Sequence, residues 1–399
     1  MLFFKKRHQP FNLFVSVAAG NNQIPLIHAA RALGFSIIAV DQNTAAPGFP
    51  LSDIRIQESI DNTSEIYKKL RELLIDGNIT AVLSRSFGKA IRATAELCEL
   101  LDIDYIPVAS VDEIINKKKM KSRFMKAGIP SARFSPLSTR RKKPYEYPVI
   151  IKPSDGHAKS GVRLIFGKEE LDRYLKMFQP RYHSFIIEEY IEGDEIIVFG
   201  IVQNGTFHLV EITDKVTTEP PFFADIIHSA PSHYSDSHQT VTQIGQSIAE
   251  AFSIRCSPLV IEMKVRNGEF FVIETVAEFG GESIPEHLIP RTQNINIFEQ
   301  ALCAMTKRPL SIQPYRKSRN HVVIKYIAGK KGALKSFTPI KPRDHDIITF
   351  AILKEIGSIT SVPNSNHDRI GYVVATGRSR EAAIEKCDNA IREMRLTYI

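Results

Sequence analysis

The chain has 399 residues, too many for one ordinary hydrophobic core, so two or three packed units are expected. Hydrophobic residues make up 43% and charged residues 24%, a globular balance, and no apolar run approaches the roughly 20 residues needed to span a bilayer. The net charge of +8 is concentrated in Lys5-Lys6-Arg7, Lys117 to Arg123 and Arg140 to Lys143; these runs carry no interleaved aromatics and no nucleic-acid motif, so nucleic-acid binding is not expected.

The opening MLFFKKRHQP has few apolar residues before its basic cluster and no small-residue cleavage site, so it does not read as a secretory signal and a cytoplasmic location is expected. Residues 12 to 41 then read as strand, turn, helix and strand: NLFVSV, AAGNNQ, IPLIHAARALG and FSIIAVD. This is a βαβ unit and implies a parallel sheet. A helix around Ser64 to Leu74 leads to a strand at Thr80 to Ser84, and a helix over Lys89 to Leu101 leads to a short strand near Tyr105. The turn AAGNNQ holds only Gly20, so it lacks the glycines with which a dinucleotide fold approaches a pyrophosphate.

From Asp112 the pattern changes. The basic helix NKKKMKSRFMKAG ends at Gly128, and Pro130 blocks its continuation. PLSTRRKKPYEY reads as a loop. Tyr147 to Pro153 and Val162 to Phe166 form a hairpin with the long tip SDGHAKSG. The strand Phe185 to Ile191 runs into IEGDE. Two further hairpins turn at Asn204-Gly205 and Asn267-Gly268, strong two-residue turn signals. Beyond Leu310 come the strand HVVIKYIAG, a proline-bearing stretch, the strand RIGYVVATG and a helix N-capped by Ser379. Cys98, Cys256, Cys303 and Cys387 are widely spaced and read as reduced thiols rather than a disulfide or zinc framework.

Glu262 and Glu274 are the most informative residues. They sit on adjacent strands across a tight turn, each inside an apolar run, LVIEM and FVIET. Paired carboxylates in such a place repel unless a cation joins them, and oxygen ligands suit a hard divalent ion. The alternative is a solvated sheet edge. Lys152 ends an apolar strand at the base of the SDGHAKSG tip, where its ammonium and the tip's backbone N–H groups can meet phosphates; Gly156 and Gly161 make that tip a weak phosphate loop by itself. In EEYIEGDE, a strand edge at Glu188, Glu189, Tyr190 and Ile191 can meet an adenine through its backbone, and Glu195 can meet a ribose; alone, the segment reads as an acidic loop.

In this order and spacing the segments resemble the ATP-grasp superfamily, in particular its carboxylate–amine (amino-acid) ligase branch, with similarity also to carbamoyl-phosphate synthase large subunits. The resemblance covers nearly the whole chain and implies an α/β architecture: a Rossmann-like domain over 1–111 and an ATP-grasp fold over 112–308. The latter would have a flap lobe near 135–190 and a metal-binding lobe near 191–308, and a small closing subdomain would follow over 309–399. It implies that Lys117 and Lys152 bind phosphate oxygens, that Glu188 to Ile191 hold adenine with Glu195 on the ribose, and that Glu262 and Glu274 bind Mg2+, with Mn2+ able to replace it. ATP and Mg2+ are the implied cofactors. Small carboxylates and amines are the implied partners, with no membrane and with pairing as a homodimer.

One departure stands out. Where the family pattern reads E-x-N-x-R, this chain reads ETVAEFGG, so Val276 replaces an asparagine and Glu278 stands where an arginine steadies the acyl phosphate. Arg291 or Lys215 is the expected replacement cation. Asp214, Lys215 and His228 are expected near the acceptor pocket, His228 rather as a structural side chain. The implied reaction is attack of a carboxylate on the γ-phosphate, then attack of an amine on the acyl phosphate with release of phosphate. The competing expectations are a bicarbonate-using carboxylase or carbamoyl-phosphate-synthase-like enzyme, and a nucleotide-binding protein that has lost turnover.

Overall fold

The computed structural model describes residues 11–73, 77–86, 88–137, 146–155, 158–281, 283–339 and 347–399. Its first unit alternates strands with helices: β1 (Phe11–Val17), α1 (Ile24–Ala32), β2 (Ser36–Asp41), β3 (Ile54–Gln57), α2 (Thr63–Leu73), β4 (Gly77–Leu83) and α3 (Lys89–Leu101). The strands pair in parallel in the order β3-β2-β1-β4. Helices cover the sheet, so β1 and β2 read as near-continuous apolar runs, and Phe14, Val15, Ile37 and Val40 are fully buried. Each such side chain contributes about 1.5–3 kcal/mol. Pro25 starts α1, and Gly34, at φ 84, turns the chain after it.

No strand forms near Tyr105. Pro107 cannot donate to a ladder and instead caps α4 (Val108–Ile114), while the Tyr105 carbonyl accepts a single bond from the Arg255 N–H at 3.1 Å. Next comes α5 (Lys117–Lys126), whose start is capped by the Asn116 side chain accepting from the Lys119 N–H.

A small lobe follows, with β5 (Phe134–Pro136), β6 (Val149–Pro153), β7 (Arg163–Ile165), α6 (Lys168–Phe178) and β8 (Phe185–Glu189). Its sheet runs β5-β8-β6-β7. Val149, Ile151, Ile165, Leu171, Tyr174, Phe185 and Ile187 form a cluster separate from the main core. A lobe with its own core can tilt as a unit over what lies beneath it.

The largest sheet has eight strands in the order β13-β12-β9-β10-β11-β14-β18-β16. They are β9 (Asp194–Gln203), β10 (Thr206–Thr217), β11 (Asp225–Ala230), β12 (Cys256–Arg266), β13 (Glu269–Val276), β14 (His321–Ile327), β16 (Ile347–Ile352) and β18 (Gly371–Gly377). Between them lie α7 (His238–Ala251), α8 (Ile289–Gln293) and α9 (Ile297–Met305); α10 (Arg380–Glu393) closes the chain with Ser379 as its N-cap. A minor sheet joins β15 (Gly332–Ser336), β17 (Ile359–Thr360) and β19 (Thr397–Tyr398). Asn204-Gly205 and Asn267-Gly268 all have positive φ (51, 81, 54 and 80), the conformation a two-residue turn between twisted strands needs. From the segment expected to form a small closing subdomain, β14, β16 and β18 continue the large sheet: β14 pairs with β11, Ile227 opposite Lys325 and Ala230 opposite Val322.

Cys98, Cys256, Cys303 and Cys387 are free. Among the described residues, no helix is long and apolar enough to cross a membrane.

Candidate active site

The β12–β13 turn sets Arg266 opposite Glu269, and a one-residue register shift between Met263 and Glu262 then brings Glu262 opposite Glu274. Opposed residues on antiparallel strands hold their Cβ atoms about 4.5–5.5 Å apart. The next strands continue the charge pattern. Lys264 of β12 lies opposite Glu195 of β9, and Glu195 lies opposite Lys215 of β10. Lys215 reaches Glu262 at 2.7 Å, Glu195 at 2.9 Å and Asp225 at 3.7 Å, and Lys264 meets Glu195 at 3.1 Å. Burial alone would raise the Glu262 and Glu195 carboxyls; the surrounding lysines outweigh it and hold both well below the usual carboxylate range. Burial would likewise lower Lys215, but its three carboxylates keep it well above the ordinary value.

Lysines face this row from the other side. Lys152 ends β6, and Lys117 starts α5, its N–H donating to the Ser154 carbonyl at 2.9 Å. Lys117 lies 3.4 Å from Glu274. Lys152 pairs with Glu188 at 2.6 Å, and Lys121 lies 3.5 Å from the other Glu188 oxygen while donating to the Val272 carbonyl at 3.1 Å. Burial lowers Lys121 to about 8, with Glu188 the largest effect opposing it. Burial would raise Glu188, and Lys121 and Lys152 reverse the sign. At the flap tip, Lys159 approaches Glu262 at 3.3 Å and Glu195 at 3.8 Å. Gly161 has φ 73, and a Cβ there would sit 2.8 Å from the Pro153 ring, so the tip folds back only on glycine. Gly156 lies outside the described residues.

Of these groups, Lys117, Lys152, Lys159, Asp225, Glu262 and Glu274 line a cleft of about 720 Å³ between the first sheet, the flap lobe and the large sheet. Behind Lys152 and Lys159 a narrow cavity of about 50 Å³ has apolar walls, including Ile150, Val162, Ile191, Phe223 and Ile273. Tyr190 borders it, and Glu189 turns its carboxylate to Arg133 at 2.7 Å and Arg266 at 3.7 Å. The donor set suits a hard divalent cation: two opposed carboxylates in a cleft that also carries the ammonium groups of Lys117, Lys152 and Lys159.

Several expected residues stand elsewhere. Arg291 lies in a different groove with Asn294 and Arg378 and donates to the His287 carbonyl, so it is not the replacement cation of this cleft. The reason is helical phase: α8 presents Ile289 to the core and Arg291 to the far side. Asp214 is tied to Ser232, His233 and Arg380. His228 is fully buried with its ring against Tyr326, centroids 5.7 Å apart. Lys215 does border Glu262, but three carboxylates already surround it. Three members of the cleft, Arg85, Lys159 and Asp225, and the buried Lys121 beside Glu188 are not singled out by the sequence. Lys121 lies one helical turn after Lys117, a spacing that shares a face and was available as a signal. Arg85 follows the C-terminal end of β4, the edge where parallel sheets build sites, and was also legible. Lys159 and Asp225 carried no separable signal.

The chain matches two family patterns: the ATP-grasp domain over residues 145–286 and the L-amino acid ligase C-terminal domain 2 over residues 326–398. A D-alanine–D-alanine ligase of Methylacidiphilum infernorum is 28% identical over 182 residues, 44% of this chain and 55% of that protein. An alanine–anticapsin ligase of Bacillus subtilis is 26% identical over 319 residues, 70% of this chain and 66% of that protein. The chain thus spans between about half and two thirds of these curated relatives. The L-amino acid ligase from Bacillus licheniformis shares the fold, with a TM-score of 0.81 over 99% of this chain and all of that one, at 18% identity. The chain thus carries an ATP-grasp domain followed by an L-amino acid ligase C-terminal domain 2.

Proposed function

We propose that the chain is an ADP-forming ligase that phosphorylates a small carboxylic acid on ATP and couples the resulting acyl phosphate to an amine. The observation that carries the reading is the opposition of Glu262 and Glu274 to Lys117, Lys152 and Lys159 within one cleft. Glu262 and Glu274 would hold Mg2+, which would offset the negative charge of the phosphates. Lys117 and Lys152 would place their ammonium groups on phosphate oxygens, with the backbone of the flap tip around Gly161 closing over them. The apolar walls from Ile150, Ile191 and Phe223 suit a purine, the backbone of residues 188–191 its edge, and Glu195 the ribose. Lys215 would act through the carboxylates it holds, fixing Glu262 and Glu195, as a positioning residue.

The carboxylate substrate attacks the γ-phosphorus; the phosphoryl group moves to it, and ADP leaves. The amine nitrogen then forms a bond to the acyl carbon as the bond to phosphate breaks. Enclosure by the flap keeps water from the acyl phosphate. In this reading residues 1–111 wall the acceptor end, 112–308 hold the nucleotide, and 309–399 close the cleft. Phosphate release from ATP, measured over a panel of amino acids and small acids with and without an amine, tests it; release that is indifferent to every acid and amine would count against it. Glu278 in place of the usual arginine supports a second reading, nucleotide binding without turnover, which calls for tight ADP binding and no phosphate release with any pair.

A further inference from the structure

We propose that Glu278 sets the acceptor class, holding the ammonium of a dibasic amine in the part of the cleft bordered by Arg85, Tyr326 and Tyr372; this rests on the ligase reading above. The charge balance of this region leads there. Arg85 and Glu286 form an ion pair with side chains 10% and 18% exposed, so each is neutralised by the other. Glu278 is half-buried, lines the same cleft, and among the described residues has no hydrogen bond and no ion pair. A carboxylate enclosed without a partner is costly until a cation meets it. Burial already pushes its carboxyl up to about 7, with Arg85 opposing and Glu274 adding to the rise.

Beside Glu278 the walls carry aromatic rings and one further cation, Arg369, which already covers a face of Tyr326. Tyr326 and Tyr372 pack edge to face with centroids 6.4 Å apart, and His287 lies tilted against Tyr372 at 6.4 Å. Burial, helped by Arg291 and Arg85, lowers His287 to about 4, so it is neutral at physiological pH. Aromatic faces attract cations. Arg369 stacks over Tyr326, 4.0 Å from the ring centroid, and donates to the Asn366 carbonyl. An acceptor with a second positive group finds in Glu278 a negative partner; a neutral acceptor of the same shape leaves it stranded.

Wild-type protein with Mg2+, ATP and hydroxylamine first identifies the acid, because hydroxylamine traps an acyl phosphate whatever the acceptor. L-Lysine and L-norleucine, which differ by the side-chain ammonium, are then compared as acceptors. Lysine is expected to be preferred by about tenfold or more in kcat/KM, and Glu278→Gln to erase that ratio, chiefly through the KM for lysine. The ratio does not depend on how much of the variant folds. Equal use of the two acceptors by wild type, or a ratio unmoved by the substitution, overturns the assignment. If no acid yields a hydroxamate, the ligase reading fails. Calorimetric binding of 1,4-diaminobutane to wild type and Glu278→Gln then decides the subsite: a tenfold weakening supports it, and equal affinity refutes it.

Discussion

Glu188→Gln keeps the shape of its side chain and removes one charge from an enclosed cluster. Glu188 is 2% exposed, Lys121 1% and Lys152 7%, so water cannot replace the lost carboxylate. Breaking a buried pair in this way costs about 3–5 kcal/mol, because the surviving cation is left uncompensated. Lys121 has an exit. It already titrates at about 8, and Glu188 is the largest effect holding it up. Without Glu188 its value falls further, and near neutral pH it sheds its proton instead of staying charged. The loss at pH 6.5 is therefore expected near the lower bound, about 3 kcal/mol. The pH dependence follows from the sign of the shift. A lysine depressed on folding binds fewer protons folded than unfolded, so wild-type stability rises with pH from about 8 towards the ordinary lysine value of 10.5. In the variant the rise starts lower. Above about 8, Lys121 is neutral in both proteins and contributes nothing to their difference, leaving only the share of Lys152. Urea midpoints at pH 6.5 and 9 should show the gap between wild type and variant shrinking. A gap of equal size at both pH values, or one under about 1 kcal/mol at pH 6.5, would refute this account of the cluster.

Glu274→Gln should lower ADP formation by about a hundredfold or more while leaving the melting temperature nearly unchanged, since its side chain is 25% exposed and its described ion-pair partner is Lys117; unchanged turnover at saturating Mg2+ would remove the basis of the proposed chemistry. Lys159→Met should raise the KM for ATP and, without nucleotide, speed proteolytic nicking of the flap, because its contacts with Glu262 and Glu195 join the tip to the large sheet; equal nicking rates would show that the tip is held otherwise. Gly193→Ala places a Cβ 2.1 Å from the Val265 carbonyl oxygen at φ 149, a strain of about 1–3 kcal/mol or more that a thermal melt reads directly.

The sequence showed most where a rule acts over a few residues. Asn267-Gly268 fixes a two-residue turn, and the turn pairs Arg266 with Glu269 by local rules alone; a one-residue bulge between Met263 and Glu262, which no local signal announces, then brings Glu262 opposite Glu274. The alternation of strand and helix over residues 11–101 was legible by local rules too. Long-range pairing was not. Nothing local in HVVIKYI says that β14 joins β11, across the boundary near residue 308 that the resemblance implies. Glu188 was read from the strand edge it ends, whereas its carboxylate is claimed by Lys152 and by Lys121 from 67 residues earlier in the chain. Arg291 was chosen for its charge, and a helix of five residues turned it into another groove.

The cleft keeps its charges in balance before any nucleotide arrives. Lys117 leans on Glu274, Lys152 and Lys121 on Glu188, and Lys159 and Lys215 on Glu262, with Glu195 and Asp225 completing the set. Unpaired, any of these buried ions would be costly, which is why the carboxylates and lysines interleave instead of segregating by sign. The same arrangement makes the site receptive to a magnesium–triphosphate pair and poor for either ion alone. A triphosphate that draws Lys117 and Lys159 away from Glu274 and Glu262 leaves two opposed carboxylates bare; a cation that takes the carboxylates leaves the lysines bare. Only the two together restore the balance. Affinity for the free nucleotide should therefore rise steeply with Mg2+, and the coupling should weaken in Glu274→Gln, which strands one charge fewer. Calorimetric titration of ADP with and without Mg2+ measures the coupling in both proteins; equal ADP affinity with and without the metal in wild type would mean that the lysines and carboxylates do not exchange partners in this way.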